Sequence, residues 1–81
     1  MHAAAQYEEG LALSAKGRHL EAIERFEAAL AREPENPRIL FALGHTAGAL
    51  GLSGPAEIFY RRVLAIEPER IEALVNLAHL L

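Results

Sequence analysis

The amino-acid sequence predicts an all-α fold, a stack of antiparallel helical hairpins joined by short turns. Three observations carry this reading. The chain repeats itself, helix start and stop signals recur at fixed places within the repeat, and the composition favours helix. Of its 81 residues 16 are Ala and 13 are Leu, while β-branched residues are few.

Laying residues 3–36 on residues 37–70 aligns Gly10 with Gly44, Ala15 with Ala49, Gly17 with Gly51 and Ala22 with Ala56. Leu30-Ala31 then meets Leu64-Ala65, and Glu33-Pro34-Glu35 meets Glu67-Pro68-Glu69. These are nine identities between the two segments, where this composition gives roughly four by chance. Tyr7 pairs with Phe41 and Phe26 with Tyr60, and the register continues through Leu40/Leu74, Leu43/Leu77 and His45/His79. Residues 1–81 therefore read as one domain, with repeat one at 3–36, repeat two at 37–70 and a half repeat at 71–81.

The elements follow in order. Helices are expected at about 3–16 and 20–33, separated by Gly17-Arg18-His19. Asn36-Pro37 then starts a third helix, with Asn as N-cap and Pro at the first helical position, where a missing N–H is harmless. Leu40, Leu43, Gly44 and Ala47 recur at helical spacing until Gly51, which suits a left-handed C-cap. Ser53 reads as the cap of a fourth helix with Pro55 in its first turn and Ala56, Tyr60, Val63 and Leu64 on one face. Pro68 stops that helix, and a fifth spans Ile71–Leu81.

The second unit carries Leu40, Leu43-Gly44, Ala47, Ala56, Tyr60 and Pro68. It resembles the tetratricopeptide repeat, whose pattern is W-x2-L-G-x2-Y, then A-x3-F, then P. The first unit matches at Gly10, Ala22, Phe26, Ala29 and Pro34, and departs at Gln6, Glu9 and Leu13; the third matches the opening half through Leu74, Leu77-Ala78 and Leu81. The resemblance implies a right-handed superhelical solenoid of five helices. It sets Gly10 and Gly44 at close helix contacts facing Ala22 and Ala56, with Phe26 and Tyr60 between successive hairpins. It also implies a protein-interaction scaffold, in which the first helix of each pair lines a concave groove.

Composition narrows the classes of function. A net charge of −3, one Lys and seven scattered Arg argue against nucleic acid. No Cys excludes disulfides and thiolate metal sites and fits a cytoplasmic protein. The apolar runs are far shorter than the ~20 residues a bilayer requires. There is no Gly-rich phosphate loop and no His-Glu-x-x-His, and Ser14 and Ser53 are the sole serines, so no catalytic residue or cofactor is expected. Partners are expected to be proteins or peptides.

The expected groove residues are Tyr7 and Leu11 from the first helix, Arg38, Phe41 and His45 from the third, and Val75, Asn76 and His79 from the fifth. Ala4, Glu8, Ala42 and Glu72 fall on the same faces. Tyr7, Phe41 and Val75 hold equivalent places in the three units and either form an apolar track or pack between helices. Family members that clamp a terminal carboxylate use Lys, Asn and Arg here. Arg38 and Asn76 are the matching residue types, so an apolar peptide or partner helix fits better. His45 and His79 face each other from equivalent sites but lack the third protein ligand of a catalytic zinc, so no metal is expected.

The half repeat leaves Leu74, Leu77, Ala78 and Leu81 without a covering helix. Burying a Leu is worth roughly 1.5–3 kcal/mol, so the bare face is expected to drive self-association, as a homodimer or larger, or to mark a fragment of a larger protein. The alternative is a recruiting or regulatory arm of an enzyme whose catalytic domain lies outside these residues.

Overall fold

The structure, a computed structural model, describes residues 2–81, which form five α-helices and no strand. They are α1 (Ala3–Ala15), α2 (His19–Arg32), α3 (Pro37–Ala49), α4 (Ser53–Ile66) and α5 (Ile71–Leu80). Each helix packs on its neighbours in sequence, most extensively α1 on α2 and α3 on α4, as two hairpins followed by a single helix.

The turns inside the hairpins are set by glycine. Gly17 and Gly51 adopt φ of 77° and 76°, a left-handed conformation that costs a residue with a Cβ about 1–2 kcal/mol. The N–H of Arg18 reaches back to Leu13 O and that of Leu52 to Ala47 O, both at 2.9 Å, so each turn closes on a carbonyl near the end of its helix. Between hairpins the chain turns at Glu33 (φ −135°, ψ 76°) and Glu67 (φ −126°, ψ 81°), outside the α region that the following Pro34 and Pro68 disfavour. Asn36 caps α3 as expected, its side chain accepting from the Arg38 N–H at 2.9 Å, with Pro37 next.

Two local expectations are corrected. Ser53 caps nothing: the N-cap of α4 is Leu52, and Ser53 is already the first helical residue. The turn closed by Gly51 brings the backbone into helical geometry one residue early, and a hydroxyl inside the helix cannot serve as the cap. His19, read as part of a turn, likewise opens α2.

The core consists of two clusters that repeat one another. Ala22, Phe26, Ala29, Ile39 and Leu43 in the first are the repeat equivalents of Ala56, Tyr60, Val63, Ala73 and Leu77 in the second. Leu30 and Phe59 touch both clusters and join them. The glycines face differently from expectation. A Cβ at Gly10 would lie 2.5 Å from the Phe26 ring, and one at Gly44 would lie 2.9 Å from the Tyr60 ring. Gly10 and Gly44 thus make room for the aromatic ring of their own hairpin partner rather than for Ala22 and Ala56. The same rings reach on into the next hairpin, because each cluster spans three helices.

Candidate functional site

The expected groove residues lie on α1, α3 and α5, and a repeated unit of three side chains organises them. In repeat one the Tyr7 ring packs 5.9 Å from the buried Phe26 ring, and the Arg38 guanidinium lies 5.5 Å over its centre. In repeat two Phe41 packs edge-on at 5.7 Å from the buried Tyr60, and Arg70 lies 5.1 Å over Phe41. Tyr7 and Phe41 are therefore half-buried, each with one side on a core ring and another under a cation. Core packing and surface exposure both apply to them. Arg70 was not a sequence candidate. It stands at the N-cap of α5, where the repeat register has Asn36, so the periodicity gives it no signal.

Two shallow hollows lie beside these units. Tyr7, Leu11, Ser14, Phe26, Phe41, Ala42, His45 and Thr46 line one of about 260 Å³. His45, Tyr60, Asn76, His79 and Leu80 line another of about 230 Å³, with Gly48 and Ala49 at its edge. His45 borders both. Thr46 turns its hydroxyl back to Ala42 O at 2.8 Å, so it presents its methyl group rather than a free donor. Ala42, largely buried in the core cluster, also lines the first hollow, as its place on the groove face of α3 leads one to expect. Val75 is exposed and lines neither hollow, so the Tyr7–Phe41 track is not continued at that position.

Asn76 is already engaged. Its side-chain N–H donates to the Tyr60 hydroxyl at 3.3 Å. Burial pushes the Tyr60 phenol above its ordinary value of 10.0, and the Asn76 hydrogen bond opposes that in part. Arg70 is held by Glu67 at 2.8 Å and faces Glu72 at 3.7 Å, whereas Arg38 has no ion-pair partner among the described residues. The surface is apolar and aromatic with cations at one edge.

A wider recess of about 950 Å³ opens between the α2–α3 and α4–α5 connections and was not flagged by the sequence. Arg38, Arg62 and Arg70 face it together with Glu33, Glu35 and Glu67, and Arg62 donates to Pro34 O at 3.1 Å. With charges of both signs interleaved, it favours neither an anion nor a cation.

On α5 one member of the expected bare face is corrected. Leu77 is only 8% exposed and belongs to the second core cluster, because it stands where Leu43 stands one repeat earlier. Leu74, Ala78 and Leu81 are open, and Ile71 and Val75 extend the stripe. No helix among the described residues is long and apolar enough to cross a membrane.

These features agree with known proteins. A family model described as TPR repeat matches residues 10–51, and another described as tetratricopeptide repeat matches residues 37–70. The probable biofilm formation methyltransferase WspC of Pseudomonas aeruginosa is 34% identical over 76 residues, which cover 94% of this chain. The chain spans 18% of the length of that relative. With the repeat register, the paired core clusters and the ring-on-glycine contacts in agreement, the chain belongs to the tetratricopeptide repeat family.

Proposed function

We propose that the chain is a protein-interaction module that receives a partner segment across α1, α3 and α5. Tetratricopeptide repeats generally mediate protein–protein interaction. The observation that carries the site is the hollow floored by Tyr7, Leu11, Phe41 and His45, whose volume of about 260 Å³ matches one bulky apolar side chain. Arg38 stands at one end of this surface, and His45, Asn76 and His79 at the other supply polar groups for a peptide backbone. An apolar peptide or the apolar face of a partner helix fits this lining. No catalytic role is proposed for these residues.

The test is a peptide selected against the chain from a random library, with affinity measured by calorimetry. Leu11→Glu and Phe41→Ala are each expected to weaken binding about tenfold or more. A selected peptide that binds both variants as tightly as the original would place the site elsewhere.

A second reading is favoured by the relative named a methyltransferase, of which these residues correspond to a minor part. The module would then recruit a protein to an enzyme encoded in the same reading frame. Reading that frame on both sides of residues 1–81 decides this, since a frame without a transferase domain removes it.

A further inference from the structure

We propose that the partner segment carries a carboxamide side chain, Gln or Asn, one helix spacing away from its apolar anchor, and seats it against Tyr60 and Asn76. This rests on the reading of α1, α3 and α5 as a peptide-binding surface and supplies the chemistry of a second anchor. The two hollows on that surface are one pocket built twice. Apart from Ala49, each residue lining the α3–α5 hollow is the repeat equivalent of a residue lining the α1–α3 hollow. The volumes are similar, about 230 and about 260 Å³, so a segment lying at one depth across both puts a side chain into each. The chemistry changes at three places: Leu11 becomes His45, Phe26 becomes Tyr60 and Ala42 becomes Asn76. Where the first hollow is apolar, the second offers hydrogen bonds.

Its unused atoms say which side chain it holds. Asn76 Nδ2 donates to the Tyr60 oxygen at 3.3 Å, which leaves the Tyr60 O–H hydrogen and Asn76 Oδ1 side by side. Among the described residues no acceptor takes that hydrogen and no donor serves that oxygen. A free donor beside a free acceptor is the complement of a carboxamide, whose C=O accepts and whose N–H donates. Other side chains fit worse. No Asp, Glu, Lys or Arg lines the hollow, so a carboxylate or ammonium would lose its water without meeting an opposite charge. An aliphatic side chain would cut both polar atoms off from water and pair neither. His45 and His79, exposed on the walls, remain for the backbone of the segment.

Gly48 holds the edge of this hollow clear. A Cβ there would meet no heavy atom within 4 Å, so no contact inside the chain calls for a glycine, which weakens the helix that contains it. The spacing of the two anchors follows from the repeat. Packed neighbouring helices stand roughly 8–10 Å apart. Residues three apart in a polyproline-type segment span that distance at about 3.1 Å each. On one face of a helix, residues seven apart span it at about 1.5 Å each.

The probe is the peptide selected from a random library, titrated by calorimetry. Selected sequences should pair a bulky apolar residue with Gln or Asn at one of these spacings. Replacing the carboxamide by Leu or by Glu should weaken binding about tenfold. Tyr60→Phe with Asn76→Ala gives the second hollow the residues of the first at those two places. With its helical circular dichroism unchanged, that double variant should bind the Leu peptide more tightly than the carboxamide peptide. Gly48→Leu, which fills the hollow, should leave the two peptides equal. Peptides that depend on Leu11 and Phe41 but show no carboxamide preference would overturn this inference and leave the binding surface standing. So would a Glu peptide as tight as the parent, or a double variant that weakens both peptides equally, since Tyr60 and Asn76 would then not touch the side chain. Peptides indifferent to Leu11→Glu and Phe41→Ala, or a library without a binder, would overturn the surface itself and this inference with it.

Discussion

Tyr60 does three things at once: its ring fills the space left by Gly44, its edge supports Phe41, and its hydroxyl accepts from Asn76. Because burial raises its phenol above 10.0 while the unfolded chain keeps the ordinary value, the unfolded state loses its proton first as pH rises. Stability is therefore fully present below pH about 10 and falls above it. Alkaline unfolding titrations should show this fall, and Tyr60→Phe should remove the part that Tyr60 contributes. Residue by residue, the sequence reveals what is periodic. Gly10, Gly44, Phe26 and Tyr60 are all marked by the match between repeats, since packing between adjacent helices leaves the same residue type at the same place. It does not reveal which face a small residue turns to which neighbour, so the ring-on-glycine contact had to be seen. Arg70 and the Asn76–Tyr60 bond escaped because each depends on where a loop or a helix end arrives in space.

Among the elements, α3 is the best specified, with a side-chain cap, a proline at its first position and a glycine closure. The other helices start without a side-chain cap and lean on packing. Asn36→Ala is expected to cost about 1 kcal/mol and to lower the melting temperature by about 4–8 °C. An unchanged melting curve would mean that Pro37 and packing alone set where α3 begins. Helix boundaries were legible to within a residue because glycine and proline act through their own backbone geometry, independent of distant contacts. Ser53 misled for the complementary reason: whether a serine caps depends on the turn before it.

At the scale of the whole molecule, two nearly equivalent clusters share Leu30 and Phe59. In a linear stack, stability is a sum of units and the interfaces between neighbours, so these two side chains couple the hairpins. Phe59→Ala should cost about 2–3 kcal/mol, since the ring is only half-buried. The slowest amide exchange of α2 and α4 is expected to follow one opening event in the unsubstituted chain, and Phe59→Ala should separate the two. Exchange rates that stay matched would show that Leu30 alone suffices. Phe59 has Arg25 as its counterpart in repeat one, so a periodic reading passes over it.

The stacking of Arg38 on Tyr7 has an optical consequence. The chain contains two tyrosines and no tryptophan, so emission excited beyond the phenylalanine absorption band comes from Tyr7 and Tyr60. Tyr60 is buried at the base of the α3–α5 hollow, whereas Tyr7 lies at the rim of the α1–α3 hollow under a guanidinium. Any occupant that displaces Arg38 alters the surroundings of one of just two emitters. The protein thus carries its own fluorescent reporter at the place where occupancy is to be measured, and no label need be attached.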